Sequence, residues 1–412
     1  MLNELCFVFQ YDAQLAGLSY DCQVLPRGVR LTFGGYNDKL KAFASFVTSK
    51  LARNLNDVLP KDDEEFERYK DNLLRSLSAF KVKEPYGHAI YYSSLTQQPR
   101  NFIYPNSQLV AALLETTRSQ LVEYVSTLWA RGKGEALIQG NFNKKEALDV
   151  VSSIDKTLAF KTISSAQYPG RLKALPLPSI GSDRAVTKLL ISEPNPNAVN
   201  AASQITLQCL NTSEKDHVLI ELISAIIEEP FFDDLRTKQQ LGYIVSSGVK
   251  GVDQSRTLSA IVQSNVAPSE RLTSAMMTFL DGVRDKLLLP LNSADIELYV
   301  KGLIDRRLEP DKQLAIEVTR NWSEIASGRL QFDRLQAEVA ALLDINKQDI
   351  LDYWDELYNS DSSRILVTEI VPRTGQASSK EPSLSGVGVK HILGINDIEE
   401  LRASGEMRFS TS

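Results

Sequence analysis

A chain of 412 residues is long enough for two or three domains, and its 43% hydrophobic and 24% charged residues are typical of globular proteins. The net charge of −6 argues against nucleic acid as the main partner. The sequence contains no apolar run of about 18 residues, and its first residues lack the pattern of a signal peptide. We therefore predict a protein without a membrane span.

Three cysteines, Cys6, Cys22 and Cys209, lie far apart in the sequence and form no Cys-x-x-Cys motif. Widely spaced single cysteines favour free thiols over a disulfide framework or a metal site. The pattern predicts a reducing compartment, and hence a cytoplasmic location.

The first part of the chain combines a hairpin with helices. Two strand-like runs, 20–25 and 29–36, are separated by the turn residues 26–28, after an opening helix-like stretch. Helical periodicity then predicts helices over 39–55, 62–80, 87–96, 119–129 and 144–157, with one strand over 135–140. Because the sequence opens inside an amphipathic element, we expect a fragment. The second part of the chain opens with two strand-like runs that the first part lacks, so we expect the first domain to have lost its opening strands.

A change in composition marks the boundary between two predicted domains. Prolines and glycines interrupt any regular pattern before residue 184, and strand-like runs resume at 186–192 and 201–209. Helix and strand order is weakly similar in the two parts, which predicts an α+β fold built from two related domains. The predicted bounds are a first domain, 1–165; a linker, 166–184; a second domain, 185–372; and a loosely ordered tail, 373–412.

A wide apolar stripe predicts a long helix early in the second domain. Thr212 or Ser213 can cap this helix, and Ser213 with Asp216 fits a capping box. The stripe consists of Val218, Leu219, Leu222, Ile223, Ile226 and Ile227. Strands are predicted next over 242–249 and 256–263, then helices over 269–287, 293–308, 314–325, 332–343 and 347–358, and a last strand over 364–370.

The stretch 229–245 joins the long helix to the first of these strands. Pro230 predicts that the helix stops or kinks, and a polar helical turn leads into the strand-like Leu-Gly-Tyr-Ile-Val. This places Phe232, Arg236 and Tyr243 where a helix meets a sheet edge. Arginine and tyrosine are suited to holding a peptide carbonyl or an oxyanion.

Spacing alone leaves a second interpretation of these residues open. Arg236 could pair with a nearby acid such as Glu229 or Asp233, and Tyr243 could be half-buried strand packing. Neither role would involve a substrate.

The sequence shows no complete active site of its own. It has three histidines, and no two of them lie one helical turn apart, as a zinc site on a helix requires. His217 has a carboxylate at Glu221 but no second histidine, so we expect it to begin a helix without binding metal. Nucleophile-elbow, P-loop and dinucleotide motifs are also missing from the sequence.

The string from Glu229 to Gly248 closely resembles a signature of the insulin-degrading-enzyme group, within the pitrilysin-type (M16) inverted-zincin metallopeptidases. Further matching patches follow in the family's order, so that the resemblance spans about residues 3–370. They lie at 15–20, 35–39, 88–92, 138–141, 306–308, 322–325 and 332–334. The resemblance implies four homologous α+β domains in two halves that close around a chamber, with this chain as an incomplete third domain followed by the fourth.

The resemblance also implies the chemistry. The N-terminal half of these enzymes carries zinc and the glutamate that acts as general base, so no cofactor is expected in this chain. Phe232 falls where the family lines the pocket just past the scissile bond. Arg236 and Tyr243 fall where the family holds the substrate backbone and donates hydrogen bonds to the scissile carbonyl.

As the C-terminal half of a zinc endopeptidase for short peptides, the chain is expected to be inactive by itself. Its implied partners are peptide substrates, the N-terminal half and a second copy in a homodimer. The alternative is a non-catalytic peptide-binding or assembly subunit, since some relatives of this fold are structural proteins of respiratory complexes. The resemblance does not predict activation by polyanions, because Gln313 replaces a basic residue beside Lys312.

Overall fold

The computed structural model describes residues 7–26, 28–53, 59–100, 102–164, 174–211, 213–252, 255–374 and 389–409. Two compact units divide the chain, and neither is continuous in sequence. The first consists of Met1–Phe80, Tyr104–Arg171 and Asp311–Arg329, and the second of Lys81–Ile103, Leu172–Pro310 and Leu330–Ser412.

Helices dominate the first part of the chain, as predicted. In chain order the elements are α1 Phe7–Leu15, β1 Leu18–Leu25, β2 Gly28–Gly35, α2 Asn37–Arg53, α3 Asp63–Ser78, α4 Pro85–Thr96, α5 Asn106–Glu115, α6 Arg118–Thr127, β3 Arg131–Gly132, α7 Lys144–Leu158 and β4 Lys161–Thr162. The hairpin is confirmed, because β1 and β2 pair as antiparallel neighbours. The strand predicted over 135–140 is wrong: these residues form no ladder, and the short β3 lies just before them.

The second part begins with two strands at the predicted bounds. Its elements are β5 Val186–Ser192, β6 Ala201–Cys209, α8 Glu214–Phe232, β7 Ile244–Val252, β8 Ser255–Ser264, α9 Ser269–Val283, α10 Ser293–Leu308, α11 Leu314–Ala326, α12 Arg334–Leu343, α13 Lys347–Trp354, β9 Ile365–Val371, β10 Val389–Leu393 and α14 Ile398–Phe409. Three helices, α8, α9 and α13, continue into π-helical turns. The mixture of helices and sheets confirms the predicted α+β class.

One six-stranded mixed sheet organises the second unit. Its order is β10-β5-β9-β6-β8-β7. The pairs β10–β5 and β5–β9 are parallel, whereas the remaining pairs are antiparallel. The strand β7 therefore lies at the edge of this sheet. Helix α4, although it comes from the first part of the sequence, packs on the sheet, and Ser93 and Thr206 form a hydroxyl–hydroxyl hydrogen bond of 2.9 Å.

Helix α8 fills the core beside the sheet. All six residues of its predicted apolar stripe are buried, together with Ile220. Full burial of each such side chain contributes roughly 1.5–3 kcal/mol, so this helix is a main source of stability in the unit. Ser213 caps the helix by accepting a 3.1 Å hydrogen bond from the Asp216 amide, as predicted. Thr212 lies outside the described residues.

The first part of the predicted linker 166–184 lies outside the described residues, which resume at 174. From there the chain is not an exposed connection, because Leu175, Leu177 and Ile180 are buried in the second unit. The predicted domain bounds remain a prediction.

The predicted loosely ordered tail, 373–412, is wrong for 389–409. Strand β10 pairs with β5, and helix α14 places Arg402 in a fully buried position. Arg402 donates hydrogen bonds to the carbonyls of Gln98 and Pro99, each at 2.9 Å. These partners lie about three hundred positions earlier in the sequence, so local composition could not indicate them.

Strand β8 and the residues before β7 approach each other unusually closely. A Cβ atom at Gly242 would lie 1.9 Å from the carbonyl oxygen of Gln263. The obstacle is backbone, which cannot rotate away as a flexible side chain can. Position 242 therefore requires glycine for steric reasons.

We predict that Gly242→Ala will lower the free energy of unfolding by about 1–3 kcal/mol, the usual cost of overpacking. Gly248→Ala, in the edge strand β7 that begins two residues after Gly242, is the matched control, because its Cβ would meet no atom within 4 Å. Urea denaturation of both variants gives the comparison. Equal stability of the two variants would contradict the steric argument.

Candidate functional site

The junction between α8 and β7 has a different backbone from the one predicted. The helix does not stop at Pro230 but continues to Phe232, and a π-helical turn covers Asp233–Lys238. Past the proline, the Asp233 amide still donates to the Glu229 carbonyl. The wider turn then ends with the Gln239 amide bonded to the Asp234 carbonyl at 2.9 Å.

Buried side chains fix both ends of this turn. Phe231 is fully buried and lies edge-to-face on Phe279, with ring centroids 5.2 Å apart. Leu235 and Leu241 are buried as well, and the Leu241 amide donates to the Leu235 carbonyl at 3.0 Å. Phe232, the neighbour of Phe231, is 42% exposed. Buried side chains thus hold the π-helical turn to the core, while other side chains of the same segment lie at the surface.

The structure brings Phe232, Arg236 and Tyr243 together. The guanidinium carbon of Arg236 lies 5.1 Å from the centroid of the Phe232 ring and 4.6 Å from that of the Tyr243 ring. Arg236 Nη1 also donates a 2.5 Å hydrogen bond to the Tyr243 carbonyl oxygen. Each cation–π contact is worth about 0.5–1 kcal/mol at an exposed site, and two of them restrict the guanidinium plane.

The alternative pairing of Arg236 with an acid is not observed. Asp233 pairs instead with Lys238 at 2.8 Å. Among the residues described, no carboxylate lies within 4.0 Å of the Arg236 guanidinium. Tyr243 is 78% exposed, so it is not a half-buried packing residue of the strand.

This arrangement can act as a set of hydrogen-bond donors. A guanidinium has five N–H groups in a fixed plane, and the contacts above occupy only part of them. The Tyr243 side chain adds a phenolic donor beside it. A planar cation and a phenol, both held in place beforehand, suit a carbonyl oxygen on which negative charge develops.

The described residues do not fit a zinc site. Within the described ranges, no group of three His, Cys, Asp or Glu side chains is placed to hold a metal ion. His217 is buried in the first turn of α8. Glu221, one turn later, accepts a hydrogen bond from Arg307, which also bonds Glu338 at 2.9 Å.

The sequence analysis missed a buried pair of ionisable residues formed by His88 of α4 and Glu193, which follows β5. His88 Nδ1 lies 3.1 Å from the Glu193 carboxylate, and both side chains are fully buried. Burial, together with Tyr91 and Glu193, raises the pKa of the nearby Tyr92 to about 12. His88 and Glu193 are 105 positions apart in the sequence, and no local motif indicates that they pair.

None of the helices in the described part of the chain combines the length and apolar character needed to span a bilayer. Cys22 and Cys209 are buried and form no disulfide within the described residues, and Cys6 lies outside those residues.

Two protein families match separate stretches of the sequence. The family described as the middle or third domain of peptidase M16 matches residues 1–111. The family described as PQQ synthase PqqF-like, C-terminal lobe domain 4, matches residues 222–322, which include the whole Arg236 junction.

Individual relatives agree with these matches. Insulin-degrading enzyme of Homo sapiens is 32% identical over 366 residues, covering 88% of this chain and 34% of the relative. Insulin-degrading enzyme of Drosophila melanogaster is 29% identical and covers 98% of this chain and 40% of the relative. The chain thus spans between a third and two fifths of the length of these relatives.

The fold agrees as well. The crystal structure of pitrilysin superposes with a TM-score of 0.81 at 16% identity, covering 98% of this chain and 40% of that chain. Together, the family matches, the relatives and the fold support an insulin-degrading-enzyme-like M16 metallopeptidase region.

Proposed function

We propose that this chain is the C-terminal half of a zinc endopeptidase that degrades short peptides in a closed chamber. The zinc ion and the general base belong to a separate N-terminal half. The observation that carries this proposal is the Arg236 guanidinium, which lies over two aromatic rings and, among the described residues, has no carboxylate within 4.0 Å. A cation held in this way, beside an exposed phenol, is available for a substrate oxygen.

Each of the three residues has a distinct role in this proposal. Arg236 donates N–H bonds to a backbone carbonyl of the bound peptide. Tyr243 donates its phenolic proton in a hydrogen bond to the scissile carbonyl oxygen as negative charge develops there. Phe232 contributes an apolar wall to the pocket just past the scissile bond.

The exposure of these groups accounts for the expected inactivity of the chain by itself. Tyr243 is 78% exposed, and hydrogen bonds to developing charge are weak where water competes. Closure of a second half over the junction would exclude water and strengthen both donors. The proposed partners are therefore peptide substrates and the N-terminal half.

Further features of the proposal concern organisation and location. Residues 1–165 correspond to the third domain of the enzyme and 185–372 to the fourth, with a homodimer as the proposed assembly. Cys22 and Cys209, which form no disulfide within the described residues, are compatible with a reducing compartment such as the cytoplasm. The net charge of −6 supports peptides over nucleic acids as ligands.

A non-catalytic peptide-binding or assembly subunit is the second candidate. It is favoured by the lack, within the described residues, of any three-residue cluster able to hold a metal ion. The two candidates differ in one respect that can be measured: only a half-enzyme gains peptidase activity when the N-terminal half and zinc are added.

We predict that the chain combined with its N-terminal half and zinc will cleave a quenched fluorescent peptide, and that either component alone will not. Tyr243→Phe should lower kcat by about 10²–10³, the usual cost of one lost donor to a developing oxyanion. KM should change little, because this bond strengthens mainly in the transition state.

Tyr124→Phe is the control for this substitution, since Tyr124 is an exposed tyrosine of the first unit. A reconstituted pair that stays inactive with zinc would favour the non-catalytic candidate. A Tyr243→Phe enzyme with the unaltered kcat would remove Tyr243 from the mechanism.

We also predict that Arg236→Lys will lose most of the activity although it keeps the positive charge. An ammonium group cannot present the planar, doubly stacked set of donors that the guanidinium offers. We expect kcat/KM to fall at least about tenfold, measured in the reconstituted enzyme. Lys238→Ala is the control, because this exposed lysine pairs with Asp233 at the same turn and should have no effect.

A further inference from the structure

The side chain of Gln263 connects the sheet edge to helix α4. Gln263 lies near the end of β8 and is only 8% exposed. Its Oε1 accepts a 2.9 Å hydrogen bond from the Tyr86 amide, and its Nε2 donates a 3.0 Å bond to Glu84 Oε2. Both polar atoms of the side-chain amide are therefore engaged by the start of one helix.

The bond from the Tyr86 amide caps the N-terminus of helix α4. The first amides of a helix have no partner within it, and side chains commonly cap them. Glu84, the N-cap residue of α4, makes no capping bond with its own side chain. Gln263 supplies the acceptor from a distant strand, so the start of α4 and the end of β8 are fixed to each other.

The backbone of Gln263 contacts the residues on either side of Tyr243. Its carbonyl is the group that approaches Gly242 so closely that no Cβ could be accommodated. In the ladder, Gln263 is the partner of Ile244. Tyr243 lies between these two contacts, so its backbone position depends on where the Gln263 backbone is held.

From this geometry we infer that Gln263 is a positioning residue for Tyr243. It fixes the end of β8 against α4 and thereby sets where the phenol of Tyr243 is presented. The inference rests on the proposed function for its catalytic consequence, but the structural coupling does not depend on that function. A displacement of about 1 Å at a catalytic group can cost on the order of 10² in rate.

The first test needs no activity. In the isolated chain, Gln263→Met keeps the size of the side chain but removes both bonds to α4. We expect hydrogen exchange of the 241–245 amides, followed by mass spectrometry, to become at least about tenfold faster. Unchanged protection of these amides would overturn the inference.

Gln208 offers a matched control for this test. It is also buried, and its side chain bonds the Leu177 amide at 2.7 Å, the Leu175 carbonyl at 2.9 Å and the Gln97 side chain at 3.3 Å. It pairs with Thr257, six residues along β8 from Gln263, which is a distance of about 20 Å. Gln208→Met should leave exchange at 241–245 unchanged, and equal acceleration by both variants would indicate general loosening of the sheet and overturn the inference.

The second test uses the reconstituted enzyme and an exchange of partners. Gln263→Glu places a carboxylate against Glu84 and should lower kcat about tenfold or more, with little change in KM. Glu84→Gln alone should be nearly silent, because a glutamine can still accept from Gln263 Nε2. Combining Glu84→Gln with Gln263→Glu restores one donor and one acceptor, so kcat should recover to within about threefold of the unaltered enzyme.

The Tyr243→Phe background separates positioning from a structural role. If Gln263 acts through the phenol, Gln263→Glu should have no further effect on kcat once that phenol is removed. A persistent loss of kcat in this background, or failure of the double exchange to recover activity, would overturn the inference. If the unaltered pair shows no peptidase activity, the proposed function fails, and the exchange measurement alone decides the positioning role.

Discussion

The close approach of Gly242 to the carbonyl of Gln263 is the constraint on which the candidate site depends. No side chain fits between these two backbones, so the segment that follows the π-helical turn lies directly against the sheet. Ile244, two positions later, enters the ladder as the partner of the same glutamine. The backbone of Tyr243 is held between these two fixed positions, and its phenol side chain is directed to the surface.

Stability and function are divided between neighbouring residues of one segment. Phe231, Leu235 and Leu241 are buried and hold the turn to the core. Phe232 and Tyr243, each next to an anchored position, remain exposed and enclose Arg236. Burying these two rings elsewhere would add roughly 1.5–3 kcal/mol each, so the surface arrangement has a cost that a purely structural role would not explain.

Sequence reasoning succeeded where the signal was local. The bounds of β5 and β6 were predicted as observed in the structure because both are short strand-like runs separated by a turn-rich segment. The grouping of Phe232, Arg236 and Tyr243 followed from a family resemblance over a short string. Their mutual stacking could not be predicted, since it depends on a π-helical turn that places Arg236 between the rings.

The errors involve contacts between residues far apart in sequence. Pro230 predicted that the helix stops or kinks, and the helix does not stop there, because only one backbone donor is lost and the buried Phe231 holds the next turn in place. The tail was predicted to be loosely ordered, but its strand pairs with β5 and Arg402 bonds carbonyls beyond α4. The capping of α4 by Gln263 could not be predicted either, because the two residues that form the bond are 177 positions apart.

The central claim is that Tyr243 touches the peptide that the enzyme cleaves. Photo-cross-linking tests it most directly: p-benzoylphenylalanine replaces Tyr243, the N-terminal half is added without metal, and a peptide substrate is irradiated in the mixture. The account predicts a covalent adduct between the chain and the peptide, located by mass spectrometry at position 243, and much less adduct when the probe replaces the exposed Tyr124. Equal yields at the two positions, or no adduct at position 243, would contradict the claim.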